Sequence, residues 1–196
     1  STSSSSAVTY PDEVVIGTMP VEDILPMWVA ESDGIFEEIG VNARIEVFQS
    51  AQELAVALAA GEVDFAMTDV QVATSLTTNG TPVTLEWVTL GATADQGRFG
   101  IMTSAASGYT KLEDLAGVPV GVGSNTVPEY VFYKLMQAAG IPDDQIVGEE
   151  IKKLPVRFEM MTSNQVAAAA LPASMLALGE ATGSVLIADD TQGENI

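Results

Sequence analysis

Residues 48–69 read FQSAQELAVALAAGEVDFAMTD, and residues 161–172 read MTSNQVAAAALP. In the first stretch Ser50 stands as a helix N-cap with Glu53 three residues on, the spacing of a capping box for a helix over 51–60. Gly61 closes that helix, and VDFAMTD, 63–69, reads as a buried strand. In the second stretch the alanine run, taken alone, has the propensity of a helix. The two stretches align, however, with Val63 against Val166, Gly61 against Asn164 and Glu62 against Gln165. Residues 165–171 therefore read as a strand that follows a helix and a turn residue, and the chain carries an internal repeat.

Working outward, strand and helix signals alternate. EVVIGT (13–18) and ARIEVF (43–48) read as strands, and 24–40 has apolar residues near helical spacing with breaks at Gly34 and Gly40. TPVTLEWVTLG (81–91) reads as a further strand of this half. In the second half Thr110 with Glu113 caps a helical turn, and VPVGVG (118–123) is a strand. A helix with Pro128 near its start runs to Gly140. IVGEEIKKL supplies a strand and VRFEMMTSN a helix. Strands joined through helices by short links imply a largely parallel sheet covered by helices. The predicted fold is α/β: two βαβαβ lobes, lobe one over 11–95 and lobe two over 96–187. GATADQGRFGIMTS (91–104) joins them as a hinge. A single doubly wound sheet with a long loop at 91–104 is the alternative.

Composition bounds the chemistry. The 196 residues carry 7 Lys+Arg against 27 Asp+Glu, a formal net charge of −20, with no histidine and no cysteine. Such a chain repels phosphate backbones and anionic lipid, so no nucleic-acid partner is expected. A Ser-His-Asp triad, a thiolate nucleophile, a zinc finger and an iron–sulfur site are all excluded. The acids are spread evenly, as in a solvated surface rather than a Ca²⁺ or Mg²⁺ site, and no metal or cofactor is expected. The apolar share of 47% is that of a globular chain. The most apolar stretch, 166–178, is too short to span a bilayer and is interrupted by Pro172 and Ser174. The Ser-rich start, 1–10, reads as a flexible leader of the kind that follows a removed signal or lipid-anchor segment, or as an ordinary terminus.

Gly121-x-Gly123 between a strand and a helix invites a dinucleotide reading, which fails because Thr126 stands where the third small residue belongs. What remains is a set of polar turns at strand ends. Ser124, Asn125 and Thr126 precede a helix, where free N–H groups and hydroxyls hold polar atoms of a ligand or simply cap the helix. Ser50 occupies the matching turn of lobe one. Thr18 with Met19, Thr68 with Asp69, and Leu171 with Pro172 follow other strands. Open α/β sheets bind ligands at these carboxyl ends, and two such edges facing across a hinge form a cleft.

Together with FQSAQELAVALAAGEVDFAMTD, the stretches DGIFEEIGV, YTKLEDLAGVPVGVGSNTVPEYVFYKLMQAAGI and LPASMLAL resemble one family over about 13–190. It is the substrate-binding proteins of ABC importers for nitrate, sulfonate, taurine and thiamine-pyrimidine precursors. The resemblance implies a type II periplasmic-binding fold whose two lobes close on a small-molecule ligand and deliver it to a membrane ABC permease. It implies an extracytoplasmic location, with lipid anchoring through a segment outside this sequence. Carried over position by position, the ligand loops are Thr18, Met19 and Pro20; Gln49 and Ser50; Thr68 and Asp69; Ser124, Asn125 and Thr126; and Leu171 with Pro172. Arg98, beside the crossover, is placed within reach of the cleft.

Two departures accompany the resemblance. Family members run on past the point matching LIADDTQGENI to complete lobe one, so 188–196 reads as the start of a return crossover and lobe one as incomplete. The lobe-two turn also lacks the acidic residue that often follows the valine, here Val166. Asp69 and Asp23 near the cleft favour a neutral or weakly basic ring such as an aminopyrimidine over a strong anion, with Trp28 or Tyr130 for stacking. The alternative class is an enzyme on the same fold, acting on a small metabolite of thiamine-pyrimidine or related biosynthesis through Asp, Glu, Lys or Tyr. A third is a ligand-sensing module of a larger protein. No catalytic residue is expected on the first reading. Hinge closure is expected at 91–99 and 186–191.

Overall fold

The computed structural model describes residues 11–93 and 96–192; the expected leader, 1–10, and the last part of the expected return crossover, 193–196, lie outside the described residues. Strands β1 (Val14–Thr18), β2 (Ala43–Val47) and β3 (Phe65–Ala66) form a parallel sheet in the order β2-β1-β3. Around it stand α1 (Leu25–Ser32), α2 (Ile35–Glu38), α3 (Ala51–Ala60) and α4 (Val70–Thr78). The second sheet contains β4 (Phe99–Thr103), β5 (Pro119–Val122), β6 (Val147–Glu150), β7 (Ala168–Pro172) and β8 (Val185–Asp189). Its order is β6-β5-β7-β4-β8, with β4 antiparallel to both neighbours. Helices α5 (Val127–Ala138), α6 (Leu154–Thr162) and α7 (Ala173–Ala181) belong to this half.

The internal repeat is present in the backbone. The parallel trio β6-β5-β7 repeats β2-β1-β3, and Gly61 and Asn164 share the left-handed conformation, at φ 74° and 60°. Asparagine tolerates that region better than most residues with a Cβ, so it can replace glycine at the turn. Most of the alanine run does form a strand, Ala168–Pro172, buried throughout, which starts three residues later than expected. Small side chains let α6 and α7 approach β7 closely, and the sheet's demand for a central strand outweighs alanine's helix propensity.

Several elements differ from expectation, each for a visible reason. Residues 81–91 make no ladder; the stretch is tied to the segment after β3, where the Thr89 hydroxyl donates to Met67 Sδ at 3.4 Å. VDFAMTD is a strand only at Phe65–Ala66, and these two residues are not buried, because no described strand pairs with the outer edge of β3. Part of the expected linker, Phe99–Thr103, is instead β4, with Gly100–Thr103 buried. Residues 70–78 carry an unanticipated helix, rich in β-branched valine and threonine but capped by Asp69. The β6 strand stops at Glu150 rather than extending to Leu154, which already begins α6. At the turn after Thr110 the capping carboxylate is Asp114, not Glu113. It accepts the Thr110 and Lys111 N–H groups at 2.9 and 3.2 Å, and the first of these holds its pKa below the ordinary value.

The apolar core is uneven. The second half packs Ile101, Leu115, Val120, Phe132, Leu135 and Met136 on one side of its sheet, and Met102, Met161, Leu171 and Leu176 in a second cluster. The first half has one small cluster, Val15, Leu54, Ala57 and Val63. Phe65, Val70, Leu85, Trp87 and Val88 of that half are exposed, Trp87 at 62% and Val88 at 74%.

Candidate functional site

The carboxyl ends of the parallel strands in both sheets carry the sequence-predicted residues. In lobe one, Phe48 N–H donates to the Thr18 carbonyl at 2.7 Å and Met67 N–H to the Gly17 carbonyl at 2.8 Å. The turns Thr18–Pro20, Gln49–Ser50 and Thr68–Asp69 are thereby drawn to one edge. Thr18 is fully buried, its hydroxyl donating to the Met19 carbonyl at 2.9 Å. Ser50 caps α3, accepting the Glu53 N–H at 3.1 Å, while Glu53 reaches back to the Gln49 N–H at 3.2 Å. Asp69 caps α4 through the Val72 N–H at 2.8 Å. Burial pushes the Asp69 carboxyl above its ordinary pKa despite that bond, and burial together with the neighbouring Glu22 raises Asp23 in the same way.

In lobe two the Ser124–Thr126 turn is closed on itself. The Ser124 N–H and hydroxyl both donate to the Glu150 carboxylate, the N–H at 3.0 Å. Asn125, at φ 61°, donates its N–H to Glu129 at 2.6 Å, and the Thr126 hydroxyl donates to the Gly123 carbonyl at 2.6 Å. The N–H groups that suit an anion at Ser124 and Asn125 are thus held by the protein's own carboxylates. Leu171 and Pro172 are buried at the end of β7, with Pro172 as the N-cap of α7.

Arg98 is placed elsewhere. Its guanidinium donates to Glu180 at 2.7 Å and Asp189 at 3.1 Å, and the adjacent Phe99 N–H donates to Asp190 at 3.0 Å. These bonds fasten the two crossovers side by side within lobe two. The cation beneath the Ser124–Thr126 turn is Arg157, which sequence reading did not single out. It is 2% exposed, with Nε donating to the Ile151 carbonyl at 2.8 Å, Nη1 to Ala170 at 3.1 Å and Nη2 to Lys152 at 3.3 Å. A Cβ added at Gly123 would lie 2.5 Å from Nη2, so the guanidinium presses on the floor of the Ser124–Thr126 turn. Burial lowers its pKa to about 10, partly opposed by Glu150 and Glu129, and it stays charged at neutral pH. Pairing of β5 with β7 ends at Gly121–Ala169, and Arg157 takes the next carbonyl, that of Ala170. The strand ends part there, with an arginine between them.

The signal for Arg157 was present in the sequence: Leu154, Arg157 and Met161 are the buried positions of α6, at i, i+3 and i+7 of one face. A lone arginine in such a stripe is a buried cation with main-chain partners. Of the expected stacking residues, Trp28 is half-buried on α1 and Tyr130 is exposed on α5, with Lys134 Nζ 5.6 Å from its ring centre.

The two lobes meet at these strand ends. Leu154 N–H donates to the Gln49 carbonyl at 3.0 Å, and Ser174 N–H donates to the Glu22 carboxylate at 3.1 Å. Lys153 Nζ lies 3.9 Å from Glu53. Among the described residues there is no group of three or more acids placed to hold a metal ion, and no helix is long and apolar enough to cross a membrane.

Two α/β lobes joined by crossovers, touching at the carboxyl ends of their parallel strands, define the type II periplasmic-binding fold. Solved structures share it. The alkanesulfonate-binding protein SsuA from Xanthomonas axonopodis pv. citri, bound to MOPS, matches with a TM-score of 0.79 at 16% identity, over 96% of this chain and 64% of its own. A ligand-binding component of an ABC-type import system from Staphylococcus aureus, with zinc bound, matches at 0.73 and 14% identity, over 90% of this chain and 60% of its own. The periplasmic aliphatic sulphonate-binding protein SsuA from Escherichia coli matches at 0.64 and 16%, over 93% and 58%. The chain therefore spans less than two thirds of the length of these neighbours. No curated protein matches. The NMT1/THI5-like family model matches residues 22–180, and the chain belongs to that family.

Proposed function

We propose that this chain is the solute-binding part of an ABC importer, working outside the cytoplasm and held there by a lipid anchor. It captures a small polar organic molecule between its lobes and passes it to a membrane permease. The observation that carries this reading is the meeting of the strand ends, Gln49 with Leu154 and Glu22 with Ser174, which supports a cleft lined by turns of both lobes. Two of its structural neighbours are sulfonate-binding proteins and one is a component of an ABC-type import system, which supports the same reading.

We further propose that the solute is a neutral or weakly basic ring rather than a strong anion. Glu22, Asp23 and Asp69 gather on the lobe-one side, and the Ser124 and Asn125 N–H groups already serve Glu150 and Glu129. A ligand entering this cleft meets acceptors more readily than free donors. A carrier also fits better than an enzyme, because Ser50, Asp69 and Thr126 are engaged in caps and turns. Mass spectrometry of small molecules retained by the purified protein, followed by calorimetry on pyrimidines, sulfonates and nitrate, tests this. Tight pyrimidine binding is expected; tight sulfonate or nitrate binding with no pyrimidine binding overturns the ligand class.

A further inference from the structure

In lobe one, α3 and α4 are capped by side chains of their own lobe, Ser50 and Asp69. The helices α6 and α7 of lobe two do not. Their N-caps are Lys153 and Pro172, neither of which supplies a side-chain acceptor. One N–H in the first turn of each is satisfied instead from lobe one: that of Leu154 by the Gln49 carbonyl and that of Ser174 by the Glu22 carboxylate. A helix start with unmet N–H groups attracts an anion. Here the anion is a side chain of the opposite lobe. At the same helix start Ser174 Oγ is buried and has no hydrogen-bond partner among the described residues.

We propose that Glu22 is a closing latch and a selectivity residue: it seats on the α7 N-terminus as the cleft closes and keeps an anionic solute group from that position. The inference rests on the cleft reading above and adds a residue to it. With the latch seated, the N–H an anion would seek is occupied, and a second negative charge beside Glu22 and Asp23 is repelled. Solutes with donor groups meet no such opposition, and the buried Ser174 hydroxyl remains available to them.

The test needs no known solute. The chain has no cysteine, so Ala59→Cys on α3 and Ala138→Cys on α5, both exposed, accept spin labels without competing sites. Distances between the labels are measured in this background, then with Glu22→Ala and with Ser174→Pro added. Proline at the second helical position already occurs in α1, α5 and α6, as Pro26, Pro128 and Pro155, so Ser174→Pro removes the N–H in a setting these helices tolerate. The short-distance population of the parent is expected to fall by at least half in both variants. A shift in only one of them, or in neither, overturns the latch.

Calorimetry with methanesulfonate reads the selectivity. Glu22→Ala is expected to bind it at least tenfold more tightly than the parent, and equal affinity or no binding by either protein overturns that part. If retained solutes fail to change the label distances while both variants do, the cleft reading falls and the latch stands.

Discussion

At the residue scale the acids of lobe one carry a measurable signature. Asp23 sits partly buried beside Glu22, and burial first, then that neighbour, raises its pKa above the ordinary 3.8. The folded state therefore holds the Asp23 proton more tightly than the unfolded chain. Between 3.8 and the raised folded value, stability falls as pH rises, and the deficit persists at neutral pH. Asp23→Asn is expected to raise the urea midpoint at neutral pH, with the advantage vanishing once the pH drops below the ordinary carboxylate range. A midpoint unchanged at neutral pH would show that the charge is fully solvated. The presence of the acids at 23 and 69 was legible in the sequence, which led to the expectation that they lie near the cleft. Their ionisation was not, because it depends on burial that no linear spacing reveals.

At the scale of elements, local signals decided what sequence could show. Ser50, Gly61 and Asn164 mark ends and starts by chain-local chemistry, and each stands where the repeat placed it. Strands β4 and β8 were missed, since their reason for being strands is each other and β7, far away in sequence. Residues 81–91 show the converse: a good strand pattern forms no ladder without a partner. Arg157 binds three such elements, taking carbonyls after β6 and within β7 and bearing on the turn after β5. Arg157→Met would leave these buried carbonyls without donors, at a cost of about 3 kcal/mol. Chemical denaturation should show that loss, and Arg157→Lys should recover only part of it, because a single ammonium cannot span three divergent acceptors.

For the whole molecule, the contrast between the lobes is the main property. Lobe two places an antiparallel strand beside β7, whereas the same side of β3 has no described partner, and apolar side chains lie exposed nearby. An exposed apolar face of this kind marks a contact surface or an aggregation hazard. Of the two tryptophans, Trp87 is on that face and Trp28 is half-buried. Iodide is therefore expected to quench the Trp87 emission preferentially, and Trp87→Phe should remove most of the quenchable fraction with little change in the denaturation midpoint. A large destabilisation would mean that the residue is packed in solution.

The insertion of β4 between β7 and β8 also sets an order of events in folding. The unit β1-α1-α2-β2-α3-β3 closes over neighbouring stretches of chain, with pairings such as Val14–Ala43 and Ile16–Phe65. Strand β4 must wait for chain made much later, since Gly100 pairs with Leu171 and with Asp189. Loop closure over such separations slows the approach to the native state. On a ribosome the pairings of β1 with β2 and β3 can form while the centre of the second sheet is still unpaired. Through that interval the apolar segment Phe99–Thr103 lacks both of the neighbours that bury it in the finished sheet.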